Sequence, residues 1–198
     1  LSQIDLPLSI MSIGSYAFRQ CAFTKITINT YLNSLGNNVF EDCILLKEVE
    51  VNNGYYEGVK NYFHPPQQQI IIGDSLFKGC QNLQKVAFPN NVVGIGIKSF
   101  YGCKELKKID IPKTVRSIGI KAFKKCSGLT IMNIPSLVTV IPRKCFGGCS
   151  SLTKINMQSV RKIESYAFIN CVKLTDALYS NLCKIDEGAF DECHSYRH

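Results

Sequence analysis

The sequence predicts a solenoid, with short parallel strands stacked on one face and turns and short helical or 3₁₀ segments on the other. Three observations carry this. First, Phe-x-x-Cys occurs eight times, as in "YAFRQC" (16–21), "KAFKKC" (121–126) and "YAFINC" (166–171). Second, its phenylalanines, Phe18, Phe40, Phe77, Phe100, Phe123, Phe146, Phe168 and Phe190, stand 22, 37, 23, 23, 23, 22 and 22 residues apart. A fixed period in the twenties marks a repeat architecture. Third, each motif travels with apolar residues that alternate as in a strand with one buried face.

One unit of the repeat can be read in order. It opens on an apolar-x-apolar pair: Val49/Val51, Val86/Phe88, Ile109/Ile111, Met132/Ile134 or Ile155/Met157. Alternation buries one face of such a strand. Pro7, Pro89, Pro112 and Pro135 follow the pair and end it, because proline donates nothing to a ladder. Five positions before each Phe lies Ile13, Leu35, Ile72, Ile95, Ile118, Ile141, Ile163 or Ile185, and Gly14, Gly36, Gly73, Gly96 and Gly119 come next as turn residues. The small-Phe-x-x-Cys segment is short enough for one helical or 3₁₀ turn. Three residues after Cys comes Leu46, Leu83, Leu106, Leu129, Leu152 or Leu174.

One coil cannot bury its own Phe and Leu. Coils stacked about 4.8 Å apart can, and each buried Phe is worth roughly 2–3 kcal/mol over an exposed one. Residues 1–198 therefore read as one domain of about eight coils of 22–23 residues. The long interval between Cys43 and Cys80 holds an insertion at about 52–69, "NNGYYEGVKNYFHPPQQQ". Its Tyr55, Tyr56, Tyr62 and Phe63 are suitable anchors for a recognition loop; a tolerated insertion is the plainer reading. Neither end carries the polar cap a solenoid needs, which predicts a segment of a longer array.

The eight motif cysteines form one column of small buried thiols. A column with one thiol per coil does not converge four ligands on zinc, and equivalent side chains pointing the same way do not pair as disulfides. Cys145, in place of the usual Ala, is expected to be buried. Cys183 sits where other coils have Arg116, Thr139 and Arg161, and is expected to be exposed. No metal or cofactor is implied. The sequence shows no Ser/His/Asp set, phosphate-cradling glycine loop or carboxylate pair suited to acid–base work, which argues against an enzyme. No apolar run reaches the length of a membrane span.

The formal charge of +8 is unevenly placed. Residues 1–77 hold 4 basic and 7 acidic side chains, residues 78–173 hold 17 and 3, and residues 174–198 hold 2 and 5. Lys98, Lys121 and Lys144 each lie two residues before a Phe, so they form a basic patch one coil apart. Such neighbours repel by about 0.8 kcal/mol in water. On the solvent side of the strands, Lys85, Lys108, Ile131 and Lys154 fall in one row, and Asp110, Asn133 and Asn156 in the next.

The segment "LKKIDIPKTVRSIGIKAFKKC" (106–126) resembles, nearly position for position, the repeat of the BspA-like (Treponema pallidum type) leucine-rich repeat family. The resemblance covers the whole chain. It implies a leucine-rich repeat solenoid of the α/β horseshoe class and no shared catalytic residues. Members abound in bacteria of mucosal surfaces and in amoeboid and flagellate protozoa. Some are described as surface adhesins.

Two functions stay open. One is a non-enzymatic protein-interaction module, an intracellular scaffold or a surface adhesin, that binds an acidic protein partner through Lys85, Lys108, Asp110, Ile131, Asn133, Lys154 and Asn156. The alternative is a binder of a polyanion or an anionic membrane, such as a sulfated glycan or phosphoinositide, through the basic central coils. Nucleic acid is disfavoured, since the strand rows lack stacking aromatics. Unpaired thiols and absent glycosylation sequons favour a reducing compartment, whereas the resemblance favours the cell surface. Oligomeric state is not legible.

Overall fold

A computed structural model describes residues 2–7, 9–29, 32, 34–52 and 69–195. The aromatic anchors of the insertion, Tyr55, Tyr56, Tyr62 and Phe63, lie outside the described residues. The chain winds into stacked coils held by parallel ladders. On the strand face, Gln3–Leu6, Lys25–Asn29, Glu48–Asn52 and Lys85–Ala87 pair in that order, as do Ile131–Asn133, Lys154–Asn156 and Asp176–Leu178. Narrower ladders flank them. Ser12–Ile13 pairs with Ser34–Leu35, Ile70–Ile72 with Val92–Ile95 and then Ser117–Ile118, and Val140–Ile141 with Lys162–Ile163 and then Lys184–Ile185.

Burial decides this register. Ile26↔Val49↔Val86 and Met132↔Ile155↔Ala177 fall opposite one another, so the inward member of each strand joins one continuous core. Pro7, Pro89 and Pro135 stand just past strand ends as expected, and there and at Pro112 the proline carbonyl closes the following corner. The amides of Ile10, Val92, Val115 and Val138 donate to the carbonyls of Pro7, Pro89, Pro112 and Pro135. The core's axis is the phenylalanine column. From Phe18 to Phe190, successive rings stack at 5.0–5.7 Å, and Phe40 through Phe168 are fully buried.

The face opposite the strands corrects one expectation. Among the described residues it contains turns and no helical or 3₁₀ segment. The amides of Ala17, Arg19 and Cys21 donate to Gly14, Tyr16 and Phe18 within their coil, while those of Tyr16, Phe18 and Gln20 donate to Asn37, Val39 and Glu41 of the next. A helix would spend all of these amides inside the coil. Alternation spends half of them between coils, and it requires a left-handed residue at intervals. Every coil has one two residues before Phe and another two residues after: Tyr16 and Gln20, Asn38 and Asp42, Lys121 and Lys125, and so on. With positive φ at its third residue, the bonded Gly14–Ala17 turn is of type II.

The glycine after the Ile column also acts differently from the expectation. Gly36 has no positive φ. A Cβ placed there would stand 2.5 Å from the backbone nitrogen of Ser15 in the preceding coil. Close approach of two coils, rather than turn conformation, selects glycine.

A second correction concerns Lys108 and Asp110. Residues 107–113 form no strand, so the strand-face ladder is interrupted between Lys85–Ala87 and Ile131–Asn133. Phe88 stands beside the interruption, with its ring edge-on to Phe100 at 6.0 Å, and Ile109 remains buried.

Candidate functional site

Seven thiols of the column do more than fill space. Cys43, Cys80, Cys103, Cys126, Cys149, Cys171 and Cys193 each donate S–H to the carbonyl of the Phe one coil earlier, at 2.8–3.2 Å. Cysteine is therefore a small apolar residue with one weak donor, which alanine is not. Burial pushes the Cys43 thiol up to about 11 and that of Cys126 to about 12. Burial also raises Cys80, Cys103 and Cys149 well above the usual thiol value. A buried thiol held protonated is a poor nucleophile. Cys145 is fully buried and Cys183 exposed. All ten cysteines are free, and among the described residues no three His, Cys, Asp or Glu converge as metal ligands.

The strand face brings together most of the predicted partner residues, and it neutralises their charges. Lys25 contacts Glu48 and Glu50 at 3.5 Å, Lys85 contacts Glu50 at 3.3 Å, and Lys154 contacts Asp176 at 2.9 Å. In the register Lys25↔Glu48↔Lys85, opposite charges alternate from coil to coil. Lys108 pairs with Asp110 of its own coil at 3.1 Å, outside any ladder. Beyond that interruption the face changes character. Ile131 lies opposite Lys154, and Asn133 opposite Asn156 and then Leu178. Ile131 and Leu178 keep 47% and 38% of their surface exposed.

The turn face carries the basic patch. Lys98, Lys121 and Lys144 form one column, each at a left-handed position with φ of 56°, 59° and 55°. Their amides donate to Ile120, Arg143 and Ser165 of the next coil, which fixes the spacing. Lys124 and Lys125 lie beside them. Desolvation lowers the Lys124 ammonium below its usual value; Tyr101 opposes this, and the charges of Lys144, Lys121 and Lys125 add to the lowering. Lys125 rests over Tyr101 at 5.8 Å and Lys144 over Tyr166 at 5.3 Å. Among the described residues none of these five lysines has an ion pair.

Sequence reasoning missed the cluster at Glu41. This carboxylate is buried, and it bridges three coils by contacting Arg19 at 3.3 Å and Lys78 at 2.6 Å. Asn38 donates to it at 2.9 Å. Desolvation raises its pKa, but the hydrogen bonds from Lys78 and Asn38 and the charges of Lys78 and Arg19 outweigh this and hold it below its usual value. The signal was available: Arg19, Glu41 and Lys78 each follow a Phe directly.

The comparisons agree with this architecture. The model of the BspA type leucine rich repeat region matches residues 1–65 and 70–197, in six copies. The chain belongs to that family. A leucine-rich repeat protein from Bacteroides ovatus superposes with a TM-score of 0.82 at 26% identity, covering 96% of this chain and 49% of its own. The chain thus spans about half the length of that protein. The Treponema pallidum leucine-rich repeat protein gives 0.65 at 19% identity, over 99% of this chain and 78% of its own. The pneumococcal vaccine antigen PcpA gives 0.52 at 17%, over 99% and 61%. The latter two likenesses show the fold alone. No curated protein matches the sequence. Solenoids of this kind present extended surfaces suited to protein interaction.

Proposed function

We propose that the chain is a non-enzymatic protein-interaction module that receives its partner on the strand face, at the ladder formed by Ile131–Asn133, Lys154–Asn156 and Asp176–Leu178. One observation carries the reading: Ile131 and Leu178 stand exposed on a registered ladder, beside the side chains of Asn133 and Asn156. Exposed apolar groups next to amides, on a backbone that needs no reordering, suit a protein surface. Because Lys85 and Lys154 already hold Glu50 and Asp176, the partner is one of mixed polar and apolar character rather than simply acidic.

The test is capture from extracts of the source cell on immobilised protein, with bound proteins identified by mass spectrometry. Wild type should retain a protein that the variants Ile131→Asp and Leu178→Asp both release, at unchanged melting temperature. Retention of every bound protein by both variants would move the partner off this ladder. A second comparison, Lys85→Glu with Lys108→Glu and Lys154→Glu, asks whether the charged rows contribute. Since each lysine is paired, a loss there should be smaller than that from Ile131.

A further inference from the structure

The solenoid has one corner that the strand-face reading leaves unused. Each coil turns there through a corner whose second and third residues are Ile97 and Lys98, Ile120 and Lys121, or Arg143 and Lys144 in three successive coils; the Ala122 and Cys145 amides close the latter two on the carbonyls of Gly119 and Pro142, and the Ser99 hydroxyl closes the first on Gly96. The carbonyl of Ile120 accepts from the Lys98 amide at 3.0 Å, and that of Arg143 from the Lys121 amide at 3.2 Å, so the three corners stand in one line. Along it run Ile97 and Ile120, which keep 43% and 41% of their surface exposed. Beside them run Lys98, Lys121 and Lys144, with Lys124 and Lys125 behind.

Three features of this corner work against stability. Isoleucines are exposed next to a buried core. Lysines occupy left-handed backbone positions, which cost an L-residue energy that glycine avoids; the equivalent positions of the other coils hold Tyr16, Asn38, Ser75, Tyr166 and Gly188. Like charges are stacked one coil apart without a compensating acid. The carboxylates at the ends of the corner are committed elsewhere: Asp74 accepts from the Ile97 amide at 2.6 Å, and Glu164 accepts from the Arg143 amide at 3.0 Å and pairs with Lys162. Unfavourable features gathered at one place point to a function there.

We infer that this corner docks on an anionic lipid surface, with the lysines and Arg143 at the headgroups and Ile97 and Ile120 dipping into the interface. The combination selects the partner. Cations alone would suit any polyanion, but exposed isoleucines flanked by cations gain only where an apolar phase lies under a layer of negative charge. Tyr101 and Tyr166, each carrying an apolar ring and a polar tip, border the patch and suit such a boundary. Docking by this corner leaves the strand face free, so the two sites are independent.

The experiment is co-sedimentation with vesicles of phosphatidylcholine alone and of phosphatidylcholine with phosphatidylserine in equal parts. The protein should sediment only with the second, and less so as salt is raised. Lys98→Asn, Lys121→Asn and Lys144→Asn combined should lower the partition coefficient about a hundredfold. Asparagine tolerates the left-handed conformation, as Asn38 and Asn170 do here, so this variant keeps its fold and its melting temperature checks that. Ile97→Ser with Ile120→Ser should lower partition about tenfold and leave the salt dependence unchanged. Absence of sedimentation with the anionic vesicles would overturn the inference, as would full retention by the lysine variant. So would unchanged partition of the isoleucine variant together with competition by dextran sulfate, which would identify a linear polyanion site instead.

Discussion

The strand face and the turn face of this solenoid use lysine in opposite ways. On the strand face Lys25, Lys85 and Lys154 each meet a carboxylate one coil away, and the backbone there is ordinary extended chain. On the turn face Lys98, Lys121 and Lys144 meet one another across coils, on left-handed backbone. The difference teaches that in a stacked array a residue's neighbour is the same position in the next repeat. A column is self-neutralising only where the repeat alternates its charge. The turn face does so in its first coils, where Arg19, Glu41 and Lys78 succeed one another, and ceases to do so after Lys78.

Substitutions at four places would break or sharpen that contrast. The largest effect is expected at Phe123, which both faces share: Phe123→Ala should cost about 3–5 kcal/mol in denaturant unfolding. A much smaller loss would mean that the two faces are stabilised separately, and the comparison would need recasting. Next is Glu41→Gln, which leaves Arg19 and Lys78 without their acid. Water reaches both partners, so the expected cost is about 1–2 kcal/mol at neutral pH. The sign with pH follows from a carboxyl held below its ordinary value of 4.5. Its contribution is complete above that value and is lost as pH falls through the lowered one. The gap between wild type and Glu41→Gln should therefore close in acid; a gap independent of pH would mean that packing, not charge, sets the cost.

The smallest effects should differ in sign. Lys154→Gln removes a partly exposed ion pair with Asp176 and should destabilise by about 0.2–1 kcal/mol. Lys121→Asn relieves both repulsion and left-handed strain, and should stabilise by about 0.5–1 kcal/mol, with part of the gain vanishing as salt is added. Thermal melts at two ionic strengths would read both. If both variants lose stability, the turn-face column is not under strain, and the physical distinction between the faces fails.

The family, the coil and its core could be read from the spacing of Phe, Cys, Leu and Ile, because each of those positions is buried in the inner coils and burial restricts its chemistry. The rows of Ile131, Lys154 and Asn156 were legible for the same reason, since a strand's period of two assigns alternate residues to solvent. The ion pairs of Lys85 and Lys154 were not. They depend on which coil follows which, and on side chains reaching across to Glu50 and Asp176. The turns expected on the turn face are present, but its short helical or 3₁₀ segments are not among the described residues; Phe-x-x-Cys has the short spacing a helical turn also allows. Nothing in a single unit distinguishes amides that bond inside a coil from amides that bond to the next. Glu41 was passed over although it shares its position after Phe with Arg19 and Lys78, because one acid at a varied position does not show that it is buried.

By itself, then, the sequence determined a repeating coil, its buried columns and the concentration of positive charge in residues 78–173. Only the tertiary structure decided that the described coils are made of ladders and turns without a helix, that the strand face is interrupted at Lys108, and that among their residues Lys25, Lys85 and Lys154 are paired while Lys98, Lys121 and Lys144 are not. The physical reason is one of range. Hydrophobic burial is non-directional, so it leaves a periodic trace along the chain. Hydrogen bonds and ion pairs need particular atoms at particular distances, and here the atoms that meet are about 22 residues apart, brought together only when one coil is laid on another.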